Sequence, residues 1–106
     1  MERYAAHYLY GPVGEYCKQG VVELEDGIVS SFFPLREEVH SVSWLGGVII
    51  LSGRKDYRWN GSFSLPEIVS HLVEGISKDA PLYAYHINRI DFRKEKLLPD
   101  ATVCRL

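Results

Sequence analysis

The side chains that could do chemistry in this sequence are, first of all, its four histidines. His7, His40, His71 and His86 are far apart along the chain, and none belongs to a His-x-His or His-x-x-x-His pair. A Cys-x-x-Cys motif is missing too, whereas zinc sites need three or four convergent ligands and usually include one short-spaced pair. The sequence therefore predicts no metal site and no cofactor. We expect each histidine to be a surface residue or a hydrogen-bonded, half-buried one.

The cysteines and serines give little support to nucleophilic catalysis. Cys17 precedes a predicted strand, where no helix N-terminus lowers its pKa, and Cys104 is typical of a small packing residue in the last strand. The sequence has no Gly-x-Ser-x-Gly motif and no glycine-rich phosphate loop. We therefore predict no catalytic residue and no enzymatic activity. A metal- or thiol-dependent enzyme is the least favoured alternative.

Aromatic side chains are the most unusual group, with seven Tyr, four Phe and two Trp. Tyr57 and Trp59 lie in a polar connection, where packing against the fold and contact with a partner are equally open. If the first and fifth predicted strands are neighbours, they form a tyrosine-lined face from Tyr4, Tyr8, Tyr10, Tyr83 and Tyr85. Ordinary sheet packing is the favoured explanation of those tyrosines. The alternative is a ligand pocket whose polar groups are His7, Tyr83 and His86.

Composition and charge restrict the classes of partner. The 106 residues suit a single domain spanning 1–106, and a net charge of −2 without a concentrated basic face argues against nucleic-acid binding. No apolar stretch is long enough to span a bilayer, and no secretory leader is evident. We therefore expect no membrane contact and a cytoplasmic protein with reduced thiols, although a bridge between the two cysteines stays open.

The hydrophobic pattern predicts a chain made mainly of strands. Asp26-Gly27 is a strong signal for a two-residue hairpin, Gly46-Gly47 indicates a turn or a bulge, and Val48–Leu51 does not alternate, which is typical of a strand buried on both faces. Arg93–Asp100 is charged and turn-like. The predicted strands are Arg3–Tyr10, Val21–Glu25, Ile28–Phe33, Val42–Leu51, Leu82–Ile90 and Ala101–Leu106.

One helix has a clear signal. Ser64 and Glu67 fit a capping box, Pro66 suits the first turn, and apolar residues then recur at spacings of three and four up to Ile76. The pattern predicts an amphipathic helix over about 65–77, ended before Pro81. We predict a mainly β (α+β) fold, a small β-sandwich or partly open barrel of six to seven strands with this helix packed across it.

Four segments resemble parts of the amidohydrolases, a family of metal-dependent hydrolases. Ala6–Tyr10 followed by Gly20–Val29 is similar to the opening of their composite domain, a small β-sandwich, and Lys96–Val103 is similar to the segment that returns to it. Val48–Gly53 resembles the strand that leads into their catalytic TIM barrel. In the family a His-x-His metal pair follows, whereas here Arg54 follows, and a barrel of ~200 or more residues has no room. The resemblance implies the sandwich without its barrel, and it carries over no catalytic or metal residue.

The sequence leaves three functional hypotheses. The leading one is a non-catalytic domain that acts through protein contact, with self-association as a homodimer because a two-fold dimer covers exposed sheet edges. The second is a small-ligand-binding module, and the third is the metal- or thiol-dependent enzyme. The candidate ligand or interface residues are Tyr57, Trp59, His7, Tyr83 and His86.

Overall fold

The computed structural model describes residues 1–12, 15–36, 41–59, 64–74, 76–77 and 79–106, and these form a mainly β fold with one helix. The predicted fold class is confirmed. The strands are β1 (Glu2–Tyr10), β2 (Tyr16–Glu25), β3 (Ile28–Pro34), β4 (Ser43–Trp44), β5 (Val48–Ser52), β6 (Tyr83–Ile87), β7 (Ile90–Asp91), β8 (Lys96–Leu97) and β9 (Val103–Arg105), and the helix α1 is Leu65–Val73.

Seven strands form one mixed sheet in the order β3-β2-β1-β5-β6-β9, with β4 also paired to β1. Strands β4 and β5 run parallel to β1, and the other pairs in this sheet are antiparallel. The β2–β3 hairpin turns on Asp26 and Gly27, whose φ angles are 53° and 80°, as a two-residue hairpin requires. The predicted Asp-Gly hairpin is therefore confirmed.

Gly46 and Gly47 interrupt what would otherwise be one long strand. Both have positive φ, and the segments on either side, β4 and β5, pair with the same strand β1. A Cβ atom at Gly47 would collide with the carbonyl oxygen of Ile87. The two glycines therefore form a bulge-like break, one of the two predicted alternatives, and Gly47 also allows β6 to approach closely.

The sheet has a packed core on each face of β5, all of whose residues are buried. One core cluster joins Val48 and Ile50 to the helix, and the other joins Ile49 and Leu51 to β1 and β2. Around the second cluster the sheet curls until the Val29 N–H of β3 donates a hydrogen bond of 2.8 Å to the Leu82 carbonyl beside β6. The barrel is open, because no strand pairing closes it within the described residues.

The helix is shorter than the predicted 65–77, because it ends at Val73 and the backbone of Glu74 is already extended. Leu65, Ile68 and Leu72 are buried as the apolar stripe predicts. Ser64 occupies the N-cap and Pro66 the first turn, but among the described residues the Ser64 side chain makes no capping hydrogen bond.

The C-terminal end of the helix is held by the segment after β5. The buried Ser52 hydroxyl donates to the Leu72 carbonyl (2.6 Å), and the Arg54 Nε donates to the His71 carbonyl (2.8 Å). Arg54 also lies 3.7 Å from a carboxylate oxygen of Glu74. These groups satisfy carbonyls that the helix itself leaves unpaired, and a cation is favoured at this end of a helix dipole.

Strand β1 does not keep one alternation along its length, contrary to the prediction that Tyr4, Tyr8 and Tyr10 share a face. Tyr4 packs with the core cluster of Leu24 and Leu51, whereas Tyr8 and Tyr10 pack on the helix side. The change falls opposite Gln19 of β2, whose φ of 54° departs from a regular strand. The first and fifth predicted strands are not neighbours either, because β5 lies between β1 and β6.

The segment predicted as a charged turn, Arg93–Asp100, contains half of a second small sheet. Ile90 pairs with Leu97 and Asp91 with Lys96, which makes a β7–β8 hairpin with a four-residue loop. The Asp91 carboxylate accepts hydrogen bonds from the backbone N–H groups of Arg93 (3.0 Å) and Lys94 (3.3 Å). Leu97 is buried in the helix-side core, which fixes the hairpin to the fold.

Candidate binding site in an aromatic face

Strands β1 and β2 bring three tyrosines together at one end of the sheet. Tyr10 pairs directly with Tyr16, and Tyr8 pairs with Lys18. The Tyr16 ring centroid lies 5.5 Å from that of Tyr10 and 5.8 Å from that of Tyr8. Because cross-strand partners lie about 5 Å apart, this register alone places the rings in contact.

Further rings extend the group across the surface. The ring centroid of Phe92 lies 5.1 Å from that of Tyr8 and 5.8 Å from that of His7. The His7 and Trp44 rings pack edge-to-face, with their centroids 5.0 Å apart. We call this continuous surface the aromatic face; its members are His7, Tyr8, Tyr10, Tyr16, Trp44 and Phe92. Three of them are well exposed: Tyr16 (58%), Trp44 (49%) and Phe92 (38%).

The β7–β8 hairpin builds one side of the aromatic face. Its loop carries Phe92 at the start and Glu95 at the end, where Glu95 has a φ of 52°. The Glu95 carbonyl accepts a hydrogen bond of 2.9 Å from the Leu65 N–H, at the first residue of the helix. This bond and the turn made by Asp91 hold the loop in place, so Phe92 and Glu95 are presented from a supported turn.

A cavity of about 110 Å³ opens within the aromatic face, and we call it the tyrosine cavity. Its walls are four aromatic rings, one aliphatic side chain and one carboxylate. The described residues that line it are Tyr8, Tyr10, Tyr16, Leu65, Phe92 and Glu95. A second opening beside it is lined by His7, Tyr8, Lys18, Gln19 and Phe92, so Tyr8 and Phe92 form the wall between the two.

The charged group that lines the tyrosine cavity in the described part of the chain is an acid. No arginine or lysine is among the described residues that line it, and Glu95 supplies a carboxylate. Burial raises the pKa of the Tyr10 hydroxyl above its usual value, and the negative charge of Glu95 raises the pKa further. The face of an aromatic ring is negative, so a positively charged guest that contacts such a face gains from the ring and from the carboxylate together.

The structure divides the five predicted candidate residues into two groups: His7 and His86 lie beside the Gly46–Gly47 break, and the other three pack against the helix-side core. His7 belongs to the aromatic face. Tyr57 and Trp59 pack against the helix-side core, with the Tyr57 ring 5.9 Å from that of Tyr85. Tyr83 lies on β6 under the guanidinium of Arg105. His86, also on β6, donates from Nε2 to the Gly46 carbonyl at 2.9 Å. Of the five, the tyrosine cavity and its neighbouring opening contain only His7 among their described lining residues.

Other reactive groups have no shared site in the described part of the chain. No three His, Cys, Asp or Glu side chains there are grouped so that they could hold a metal ion, and His40 lies outside the described residues. Both cysteines are free thiols. Burial, and then the charge of Glu15, raise the pKa of the Cys17 thiol, which makes its nucleophilic thiolate scarcer at neutral pH.

Sequence reasoning missed four residues of this site: Tyr16, Trp44, Phe92 and Glu95. Tyr16 was missed because β2 begins five residues before its predicted start, at Tyr16 rather than Val21. Asp91 was a usable signal, because an aspartate whose side chain accepts hydrogen bonds from the next backbone N–H groups is typical of the start of a turn. A turn that begins at Asp91 places Phe92 and Glu95 in its loop. Trp44 carries no comparable signal, because its position depends on the pairing of β4 with β1.

Comparison of the chain with protein-family models, with curated proteins and with solved structures finds no match in any of the three. Within the part of the chain that the structure describes, no helix combines the length and the apolar character needed to cross a bilayer.

Proposed function

We propose that this chain is a non-catalytic binding domain, and that its site is the tyrosine cavity in the aromatic face. The observation that carries the proposal is the convergence of four aromatic rings and one carboxylate around about 110 Å³. Binding sites in proteins are typically concave and apolar, with a few placed polar groups. A cytoplasmic location with reduced thiols forms part of this proposal.

A fragment screen by amide NMR tests the site without knowledge of its natural guest. The expected result is that fragment-induced shifts cluster on β1, β2 and the β7–β8 loop. Tyr16→Ala should abolish most of these shifts, whereas Phe32→Ala should not, because Phe32 is an exposed aromatic of β3 that does not line the cavity. Fragments that cluster beside Phe32, or that bind nowhere, contradict the proposal.

A second candidate function is self-association through the same aromatic face, the homodimer that the sequence favoured. Lys18 and Glu95 lie on either side of the Tyr8–Phe92 pair, and neither has an ion-pair partner among the described residues. A two-fold dimer centred on that pair would bring each Lys18 toward the other copy's Glu95. Exposed aromatic anchors are typical of such interfaces.

Light scattering over a concentration series tests this candidate. We expect a dimer that Lys18→Glu weakens and that the double variant Lys18→Glu/Glu95→Lys restores, because the double variant exchanges the two charges. A monomer at every concentration, or a dimer that ignores both substitutions, counts against self-association through this face.

Kinship with the composite domain of amidohydrolases is also a proposal. It is supported by the adjacency of β3, β2, β1 and β5, the strands that carry the Asp-Gly hairpin and the segment resembling the family's exit strand. Arg54, which stands where the family has its first metal ligands, binds the end of the helix, so the proposed kinship is with the sandwich and does not extend to the family's metal site.

A further inference from the structure

The walls of the tyrosine cavity select for charge. Four aromatic rings line it, and the face of an aromatic ring attracts cations. Glu95 adds a formal negative charge at the rim, and no described basic side chain lines the cavity to oppose it. An anion would be repelled by Glu95, and a neutral guest would gain no charge–charge attraction from it.

The size and polarity of the cavity select for the kind of cation. An apolar cavity of ~150 Å³ accommodates benzene, so about 110 Å³ suits a smaller group, such as a trimethylammonium head. A bare ammonium ion is strongly hydrated and needs several hydrogen-bond acceptors. The cavity offers one carboxylate, from Glu95, and three tyrosines as polar groups beside its aromatic rings and Leu65. One formal negative charge is a small share of the acceptors that a bare ammonium ion needs, whereas a cation whose surface is methyl groups contacts the rings and needs only that one charge.

We propose that the tyrosine cavity binds an alkylated ammonium group, the chemistry shared by choline-like molecules and methylated lysine side chains. This inference rests on the proposed function, which names the cavity as the site, and adds the class of guest. The opening beside the cavity, which contains Lys18 and His7, shares the Tyr8–Phe92 wall and provides room for the remainder of a guest whose cationic end lies in the cavity.

Titration with choline and with dimethylbutanol, its uncharged carbon isostere, tests the charge requirement directly. Amide NMR of the full chain should show choline shifting the residues that line the cavity, with an affinity at least about twofold above that of the isostere, as a cation–π contact at a partly exposed site predicts. Equal affinities, or choline shifts away from the cavity, would overturn the inference.

Substitutions separate the walls of the cavity from general effects on the fold. Tyr16→Ala should weaken choline binding about two- to fivefold, as the loss of one exposed cation–π contact predicts, and should leave the core intact because Tyr16 is largely exposed. Glu95→Gln keeps the size of the side chain and should weaken choline binding while leaving dimethylbutanol unchanged. Phe32→Ala is the matched control and should leave both unchanged. A Glu95→Gln variant that binds both probes as the wild type does contradicts the assigned role of the carboxylate.

Two peptides distinguish the sources of the shared chemistry. A peptide with trimethyllysine should bind more tightly than the same peptide with unmodified lysine. If it also binds more tightly than choline, the guest is a side chain of a partner protein, and if choline binds more tightly, the guest is a free small molecule. Fragments that bind the cavity while choline and both peptides do not would overturn the inference and leave the proposed function standing. Fragments that bind elsewhere would remove both.

Discussion

Substitution of Ser52 by alanine tests how the helix is fixed to the sheet. Ser52 is completely buried; its hydroxyl donates to the Leu72 carbonyl at 2.6 Å and accepts from the Arg54 N–H at 3.0 Å. Ser52→Ala removes both bonds and leaves a buried carbonyl without its donor. With about 1 kcal/mol for each net hydrogen bond, the free energy of unfolding should fall by about 2 kcal/mol.

Urea unfolding, followed by circular dichroism, measures this loss. The urea dependence of the free energy of unfolding should be unchanged if the variant still unfolds in two states. In a separate thermal melt, a loss of about 2 kcal/mol corresponds, for a chain of this length, to a fall in Tm of about 8–16 °C. The matched control is Ser30→Ala, because Ser30 is exposed and donates a longer bond of 3.2 Å to the Glu23 carbonyl; it should change stability by less than about 0.5 kcal/mol. Equal effects of the two substitutions would refute the reasoning.

Three further outcomes follow from backbone geometry and buried hydroxyls. Gly47→Ala should lower the free energy of unfolding by more than about 2 kcal/mol, because the added Cβ would strike a carbonyl of β6. Gly27→Ala should lower it by about 1 kcal/mol in the same urea assay, because Gly27 has open space around it but a positive φ. Tyr57→Phe should leave the Tm unchanged or raise it, since the buried Tyr57 hydroxyl has no partner among the described residues. Tyr85→Phe should lower the Tm, since the Tyr85 hydroxyl donates at 2.6 Å to a backbone carbonyl. A larger fall in Tm for Tyr57→Phe than for Tyr85→Phe would contradict these assignments. Burial raises the pKa of Tyr10, Tyr57 and Tyr85, so their contribution to stability is complete below the unfolded-state pKa of about 10 and is lost as the pH rises further. Unfolding free energies that stay constant from neutral pH to above pH ~11 would be inconsistent with those shifts.

The parts of the fold that could be predicted from sequence depend on local signals. Asp26-Gly27 specifies its turn because both positions accept positive φ, and Leu65, Ile68 and Leu72 fall on one side of a helix through their spacing alone. Val48–Leu51 identifies the central strand by its unbroken apolar run, and the structure buries every residue in it.

The candidate site could not be predicted in the same way, because it depends on pairings between distant segments. The change of face along β1 occurs opposite Gln19, and a glutamine gives no sequence signal for its positive φ. The cavity combines Tyr8 and Tyr10 with a loop more than eighty residues later, at Phe92 and Glu95. The sequence singled out aromatic residues as its most unusual group, but ordinary sheet packing was the favoured explanation of Tyr8 and Tyr10. Their partners Phe92 and Glu95 lie in the loop of the β7–β8 hairpin, whose charged residues predicted only a turn.

A crystal structure of the full chain soaked with choline tests the central claim most directly. The trimethylammonium group should lie inside the tyrosine cavity, with its nitrogen within about 6 Å of the ring centroids of Tyr8, Tyr10 or Tyr16 and Glu95 at the rim. A cavity filled by the chain's own Tyr16 ring, or choline bound only elsewhere on the surface, would contradict it.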